Sequence, residues 1–160
     1  MTTAYIGLGA NLGDAPATLR SAASALARAG RVSAASRLYE TEPVGLRDQP
    51  RFTNAVCRLE TKLSADALLA ELQAIEAEFG RVRTVRFGPR TLDLDLIAYD
   101  DERSHDERLT LPHPRARERE FVLRPLADIA PGLELDGRPV RDWLDDLPPQ
   151  GVRPTGEPLL

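Results

Sequence analysis

The run Leu92-Asp93-Leu94-Asp95-Leu96-Ile97 alternates apolar and acidic residues with a period of two. That period belongs to a strand covered on one face, because successive side chains leave a strand on opposite sides. Leu92, Leu94 and Leu96 are therefore expected to enter a core, with Asp93 and Asp95 together on the opposite face. Residues two apart on a strand lie roughly 6.5–7 Å apart, close enough for two carboxylates to share one hard cation or to hold a pair. Like charges stacked on one strand repel, and a cation relieves that repulsion. Directly upstream come Arg81, Arg83, Arg86 and Arg90 with no acidic residue among them, and Gly88-Pro89 breaks the chain before the strand. Either half alone reads as a solvated surface. Together they suggest a polyphosphate with its magnesium ions, since Mg²⁺ is usually held by one or two carboxylates and completed by phosphate oxygens and water.

The 160 residues amount to one domain, and 42% hydrophobic content supports a packed core. The formal net charge of −4 argues against a general nucleic-acid coat. Basic charge is local, in Arg81–Arg90 and Arg108–Arg124, which favours a small anionic ligand over a long polyanion. One cysteine, Cys57, allows no internal disulfide. The start, MTTAYIGLGANLG, lacks a basic residue followed by a long apolar run, so no signal peptide is expected. No apolar stretch approaches a membrane span. A cytoplasmic protein is the default expectation.

Taken in order, Thr3–Gly9 reads as a buried strand that ends in the turn Gly9–Gly13. GLGANLG does not match the spacing of a dinucleotide fingerprint. Asp14 and Pro16 open a helix with Leu19, Ala22, Ala23 and Leu26 as its apolar stripe, and Gly30 closes it. Val32–Tyr39 is a second strand, and TEPVGLRDQP (Thr41–Pro50) a loop. In the third strand, Phe52–Thr61, Phe52, Asn54 and Val56 take one face and Ala55, Cys57 and Leu59 the other, so Cys57 reads as core. Ser64 caps a helix over Ala65–Phe79 with Leu68, Leu72, Ile75 and Phe79 buried, and Gln73 and Glu76 on one flank. YDDERSHD is a polar turn with His105 solvated, whereas Pro112 and Pro114 bracket His113 and hold it in place. Phe121–Leu126 is apolar, and the stretch ends in Pro131-Gly132. Val140–Leu147 is expected to be a short helix with Trp143 inward, and the Pro/Gly-rich tail, 148–160, to be loose.

This order predicts an α+β chain of the ferredoxin-like βαββαβ type: an antiparallel sheet, helices on one face and the active site on the other. One domain would span 1–147. Phe52, Asn54, Asp93 and Asp95 then share an open face, which suits a site better than a core. An RNA-binding domain and a non-catalytic regulatory domain of the same fold remain as alternatives, although aromatics are only 5% of residues.

The segment RFGPRTLDLDLI closely resembles the signature of the 6-hydroxymethyl-7,8-dihydropterin pyrophosphokinases of folate synthesis. YIGLGANLG, the TEPVG loop, DQPRFTNAV, the Gln73/Glu76 helix, RLTLPHP and Arg119–Phe121 resemble that family in the same order, over residues 3 to 145. The resemblance implies transfer of diphosphate from ATP to the pterin hydroxymethyl group. It implies two Mg²⁺ ions on Asp93 and Asp95, with Arg81, Arg83, Arg90, His113 and Arg119 on the ATP phosphates. Of these, Arg81 and Arg90 stand with the aspartates as catalytic candidates. Arg108, Thr110, Gln73 and Glu76 would complete the nucleotide site. The pterin would lie between Phe52 and Phe121, its edges read by Asn54 and by Thr41, Pro43, Val44 and Gly45. ATP and the pterin are the implied partners, with no nucleic acid and no membrane, and a monomer is expected.

Overall fold

The computed structural model describes residues 1–42, 50–80 and 91–160. In chain order its elements are β1 (Thr2–Ala10), α1 (Ala15–Ala25), β2 (Arg31–Ala35), β3 (Arg37–Thr41), β4 (Phe52–Thr61), α2 (Ala65–Glu78), β5 (Asp93–Tyr99), β6 (Ser104–Asp106), β7 (Leu109–Leu111), α3 (Glu120–Ile129), β8 (Glu134–Leu135), β9 (Arg138–Pro139), α4 (Val140–Asp145) and β10 (Val152–Pro158). The main sheet runs β10-β3-β4-β1-β5, with β2 also paired to β4 and every pairing antiparallel. With β2 and β3 counted as one interrupted strand, this is the interleaving of two split β-α-β units, the expected ferredoxin-like α+β architecture.

Local chemistry starts both long helices where the sequence predicts. The Asp14 carboxylate accepts the Ala17 N–H at 3.1 Å, and the Ser64 hydroxyl accepts the Ala67 N–H at 3.1 Å. Each side chain takes up an amide that the helix leaves without a partner. Leu19, Ala22 and Ala23 of α1 and Leu68, Leu72 and Ile75 of α2 then pack with Ala55, Cys57, Leu59, Leu92, Leu94 and Leu96 into one core. Cys57 is fully buried there, and burial pushes its thiol pKa up to about 12. The thiol is a packing group, as expected.

Three expectations need correction. The segment Tyr99–Asp106 is not a turn throughout, because Ser104–Asp106 forms β6 and pairs with β7. The single strand Val32–Tyr39 is two, divided at Ser36. There the Ser36 N–H donates to the Val56 carbonyl at 2.9 Å, and the Ser36 hydroxyl accepts the Val56 N–H at 2.9 Å. A side chain thus replaces a ladder carbonyl, and the strand continues in a shifted register. The tail is not loose either. β10 pairs with β3 from Val152↔Thr41 to Pro158↔Arg37, and Leu159 is only 1% exposed inside the main core. Prolines suit an edge strand, where only one side needs donors. What anchors this tail is one leucine and an open sheet edge, and neither registers in composition.

The second sheet face has its own cover. Tyr5, Val56, Ile97 and Ala98 pack against Val122, Leu123 and Leu126 of α3 and Val140 of α4. Phe121–Leu126, apolar in the sequence, is therefore helical and covers part of this face. Asp128 ties α3 to the sheet at a partly exposed position: Tyr39 donates to Asp128 at 2.9 Å and Arg37 donates to the same carboxylate at 3.0 Å. Trp143 of α4 donates its indole N–H to the Leu135 carbonyl at 2.8 Å, while Arg138 lies over its ring at 4.5 Å. Among the described residues, no helix is long and apolar enough to cross a membrane.

Candidate active site

Cross-strand register builds the floor of the site. Gly9 stands between Asn54 of β4 and Asp93 of β5, and Gly7 stands between Val56 and Asp95. These rows share the face that α3 covers farther along, at Tyr5, Val56 and Ile97. Beyond the N-terminal end of α3, the face opens as a cleft of about 800 Å³. Asp93 and Asp95 turn toward it and away from the leucine core, because β5 keeps its alternation.

Among the described residues, Thr41, Phe52, Asn54, Asp93, Asp95, His113, Arg119 and Phe121 line this cleft together. Arg108 and Thr110 instead line a smaller hollow of about 230 Å³, which shares Asp95 and His113 with the first. Arg108 is paired with Asp66 of α2 at 2.7 Å. Gln73 is exposed and lines neither hollow. Glu76 lines neither as well. It is 7% exposed and accepts the Leu94 N–H at 2.8 Å, so its described contact joins α2 to the strand that carries both aspartates. Pro43, Val44, Gly45, Arg81, Arg83 and Arg90 lie outside the described residues.

The polar side chains are held in definite orientations. Thr41 donates to the Asn54 side-chain oxygen at 2.7 Å, which leaves the amide nitrogen over Gly9. A Cβ at Gly9 would come within 2.8 Å of that nitrogen, so the bare backbone is what lets the amide lie there. The His113 N–H donates to the Ile97 carbonyl at 2.8 Å, and its ring Nδ1 accepts the Arg115 N–H at 3.2 Å. Burial holds the imidazole pKa below 6.5. Arg119 and Arg115 push the same way, against Asp95. A neutral ring with Nδ1 engaged carries its proton on Nε2, where it is a donor. Burial also lowers the Arg119 pKa, and Asp95 and Asp93 oppose that shift. The guanidinium remains a permanent cation facing both carboxylates, stacked 5.4 Å over the Phe121 ring.

The donor set fits magnesium brought in by a substrate. Two carboxylates face one cleft, and among the described residues no group of three or more His, Cys, Asp or Glu is placed to hold a metal by itself. A phosphate-bound Mg²⁺ needs only one or two such ligands. Chemically, the cleft can hold a flat heterocycle against aromatic rings, read its edge with an amide, and gather anionic oxygens between a cation, a histidine donor and a metal-binding pair.

Gly7, Gly9 and Gln150 also belong to the lining and are not singled out from the sequence. The glycines do leave a trace there. Two glycines two apart inside a strand strip one face of side chains, whereas a loop reading of GLGANLG draws attention to the turn. Gln150 leaves no such trace.

Comparison with known proteins agrees with this geometry. Residues 5–131 match the family model described as 7,8-dihydro-6-hydroxymethylpterin-pyrophosphokinase. The 2-amino-4-hydroxy-6-hydroxymethyldihydropteridine pyrophosphokinase of Methylorubrum extorquens is 48% identical over 154 residues, covering 95% of this chain and 98% of its own. The Pseudomonas aeruginosa protein of the same name is 45% identical over 151 residues, covering 92% and 93%. The folic acid synthesis protein fol1 of Schizosaccharomyces pombe is 45% identical over 154 residues, which are 94% of this chain but 21% of that protein. Among solved structures, an HPPK-DHPS in complex with substrates superposes with a TM-score of 0.69 at 14% identity, over 90% of this chain and 43% of that one. That likeness concerns the fold.

Proposed function

Because the chain belongs to the 7,8-dihydro-6-hydroxymethylpterin-pyrophosphokinase family, we propose that it transfers a diphosphate from ATP to the hydroxymethyl group of 6-hydroxymethyl-7,8-dihydropterin and releases AMP. The observation that carries this reading is the cleft itself, in which Asp93 and Asp95 face Arg119 and His113 on the same sheet face as Phe52, Asn54 and Phe121. A cytoplasmic monomer is part of the proposal.

Phe52 and Phe121 would stack on the two faces of the pterin. Asn54, oriented by Thr41, offers both a donor and an acceptor to its edge, and Thr41, Pro43, Val44 and Gly45 would complete that edge. Asp93 and Asp95 would hold two Mg²⁺ ions between them. Bound there, magnesium neutralises the triphosphate and acidifies an oxygen that it touches. His113, neutral with Nε2–H outward, donates to a phosphate oxygen. Arg119 places a fixed charge beside it, and Arg81, Arg83 and Arg90 would supply further guanidinium forks. Arg108 and Thr110, which line the smaller hollow, are assigned to the nucleotide, and Gln73 would reach it from α2. Glu76 acts on this site through the Leu94 amide of β5. The substrate hydroxyl then attacks the β-phosphorus opposite the departing AMP oxygen. Positioning and electrostatics carry such a transfer, and no covalent enzyme intermediate is needed.

Product analysis tests the proposal directly. Incubation with ATP, Mg²⁺ and the pterin should release AMP and pterin diphosphate in equal amounts. ADP as the nucleotide product, or no pterin-dependent product, would overturn it. Asp95→Ala should abolish turnover at saturating magnesium with the fold retained, and activity within a few-fold of wild type would contradict the assigned role.

A further inference from the structure

We propose that Gln150, in the C-terminal segment before β10, is a positioning residue of this site that holds Arg119 and Phe121 in place. The inference rests on the pyrophosphokinase reading only for the identity of the ligand. Three polar groups of Gln150 are committed to one short stretch. Its side-chain oxygen accepts the Glu120 N–H at 3.0 Å, its own N–H donates to the Glu120 carboxylate at 2.7 Å, and its amide nitrogen donates to the Glu118 carbonyl at 2.9 Å. The carboxylate so gripped is 5% exposed and also accepts Arg124 at 2.8 Å. Glu118 and Glu120 flank Arg119, and Phe121 follows.

The geometry explains why a distant residue is needed. Arg119 precedes the first turn of α3, and its side chain makes no cap hydrogen bond there. The first amide of a helix has no partner within the helix, and here Gln150 supplies one from 30 positions downstream. The helix start therefore cannot fray without breaking the tail's contacts. That start carries the guanidinium facing both aspartates and the ring stacked beneath it. Gln150 also lines the cleft itself, so the same hydrogen bonds close the wall beside these two groups. Pairing of β10 with β3, together with burial of Leu159, secures the tail from the other end.

The test uses the full chain with Gln150→Ala and Gln150→Met, the second keeping side-chain length without the amide. Amide exchange over residues 120–122, thermal unfolding, and calorimetric titration with 6-hydroxymethyl-7,8-dihydropterin in the presence of an ATP analogue and Mg²⁺ are compared with wild type. Both variants should exchange faster over 120–122 and bind the pterin on the order of tenfold more weakly, with Tm nearly unchanged. Wild-type affinity in either variant overturns the inference, as does unchanged exchange. A loss of affinity that merely tracks a large fall in Tm overturns it too, since that assigns Gln150 to the fold. If wild type itself binds no pterin, the functional reading falls, and the exchange data still decide the clamp.

Discussion

At Gly9 the absence of a side chain is the functional property. Gly9→Ala places a methyl 2.8 Å from the Asn54 amide nitrogen, so the amide must turn out of the position that Thr41 sets. The expected result is a pterin KM raised by about tenfold with little change in stability, read from steady-state kinetics and thermal unfolding together. Gly30 differs, because its added Cβ would lie 2.2 Å from the Glu60 backbone carbonyl. A backbone atom cannot rotate aside, so Gly30→Ala strains the fold away from the site. Asp128 supplies a residue-level pH dependence. Burial opposes its ionisation, but hydrogen bonds from Arg37 and Tyr39 outweigh that and hold its pKa below 3.8. With the folded value below the unfolded one, its contribution is complete above the ordinary carboxylate range and is lost as pH falls through the folded pKa. Asp128→Asn should therefore flatten the acid limb of a stability–pH curve, as urea midpoints from pH 5 to 2 would show.

Among the elements, the divided strand and the tail carry the clearest consequences. Ser36→Ala leaves the buried Val56 N–H without its acceptor at the point where β2 gives way to β3. An unsatisfied buried donor costs about 1–3 kcal/mol, measurable by urea unfolding. Leu159→Ala empties a fully buried position where the tail enters the main core, and such truncations cost about 2–5 kcal/mol. A loose tail would show no change, so this variant separates the two descriptions. Glu76 gives α2 a hold on β5. Glu76→Ala should lower kcat more than it raises the nucleotide KM, because it disturbs the strand that bears Asp93 and Asp95. A pure KM effect would return Glu76 to direct nucleotide contact.

For the whole molecule, the cleft is a place where one sheet face changes owner: α3 covers it at Tyr5, Val56 and Ile97 and leaves it open at Gly7, Gly9 and the aspartates. A ligand filling that opening stabilises the folded state by linkage, about 2.7 kcal/mol at a hundred times its Kd. For a chain of this size that is a Tm rise of roughly 5–10 °C, expected with an ATP analogue plus Mg²⁺ and absent in Asp95→Ala. Much of this was legible beforehand, because strand alternation and helix caps are local rules. Leu92, Leu94 and Leu96 could only go inward once Asp93 and Asp95 went out, and Asp14 and Ser64 satisfy amides three residues away. The α+β order and eight residues of the cleft's lining followed from such rules and from motif likeness. What the chain could not declare in one dimension was which surfaces were left to be covered. Phe121–Leu126 became a helix against Val56 and Ile97, Leu159 found the core from just beyond β10, and Gln150 met Glu120 across 30 positions. Each depends on an apolar face or an unpaired amide that exists only after the sheet has formed, so only the tertiary structure decides it.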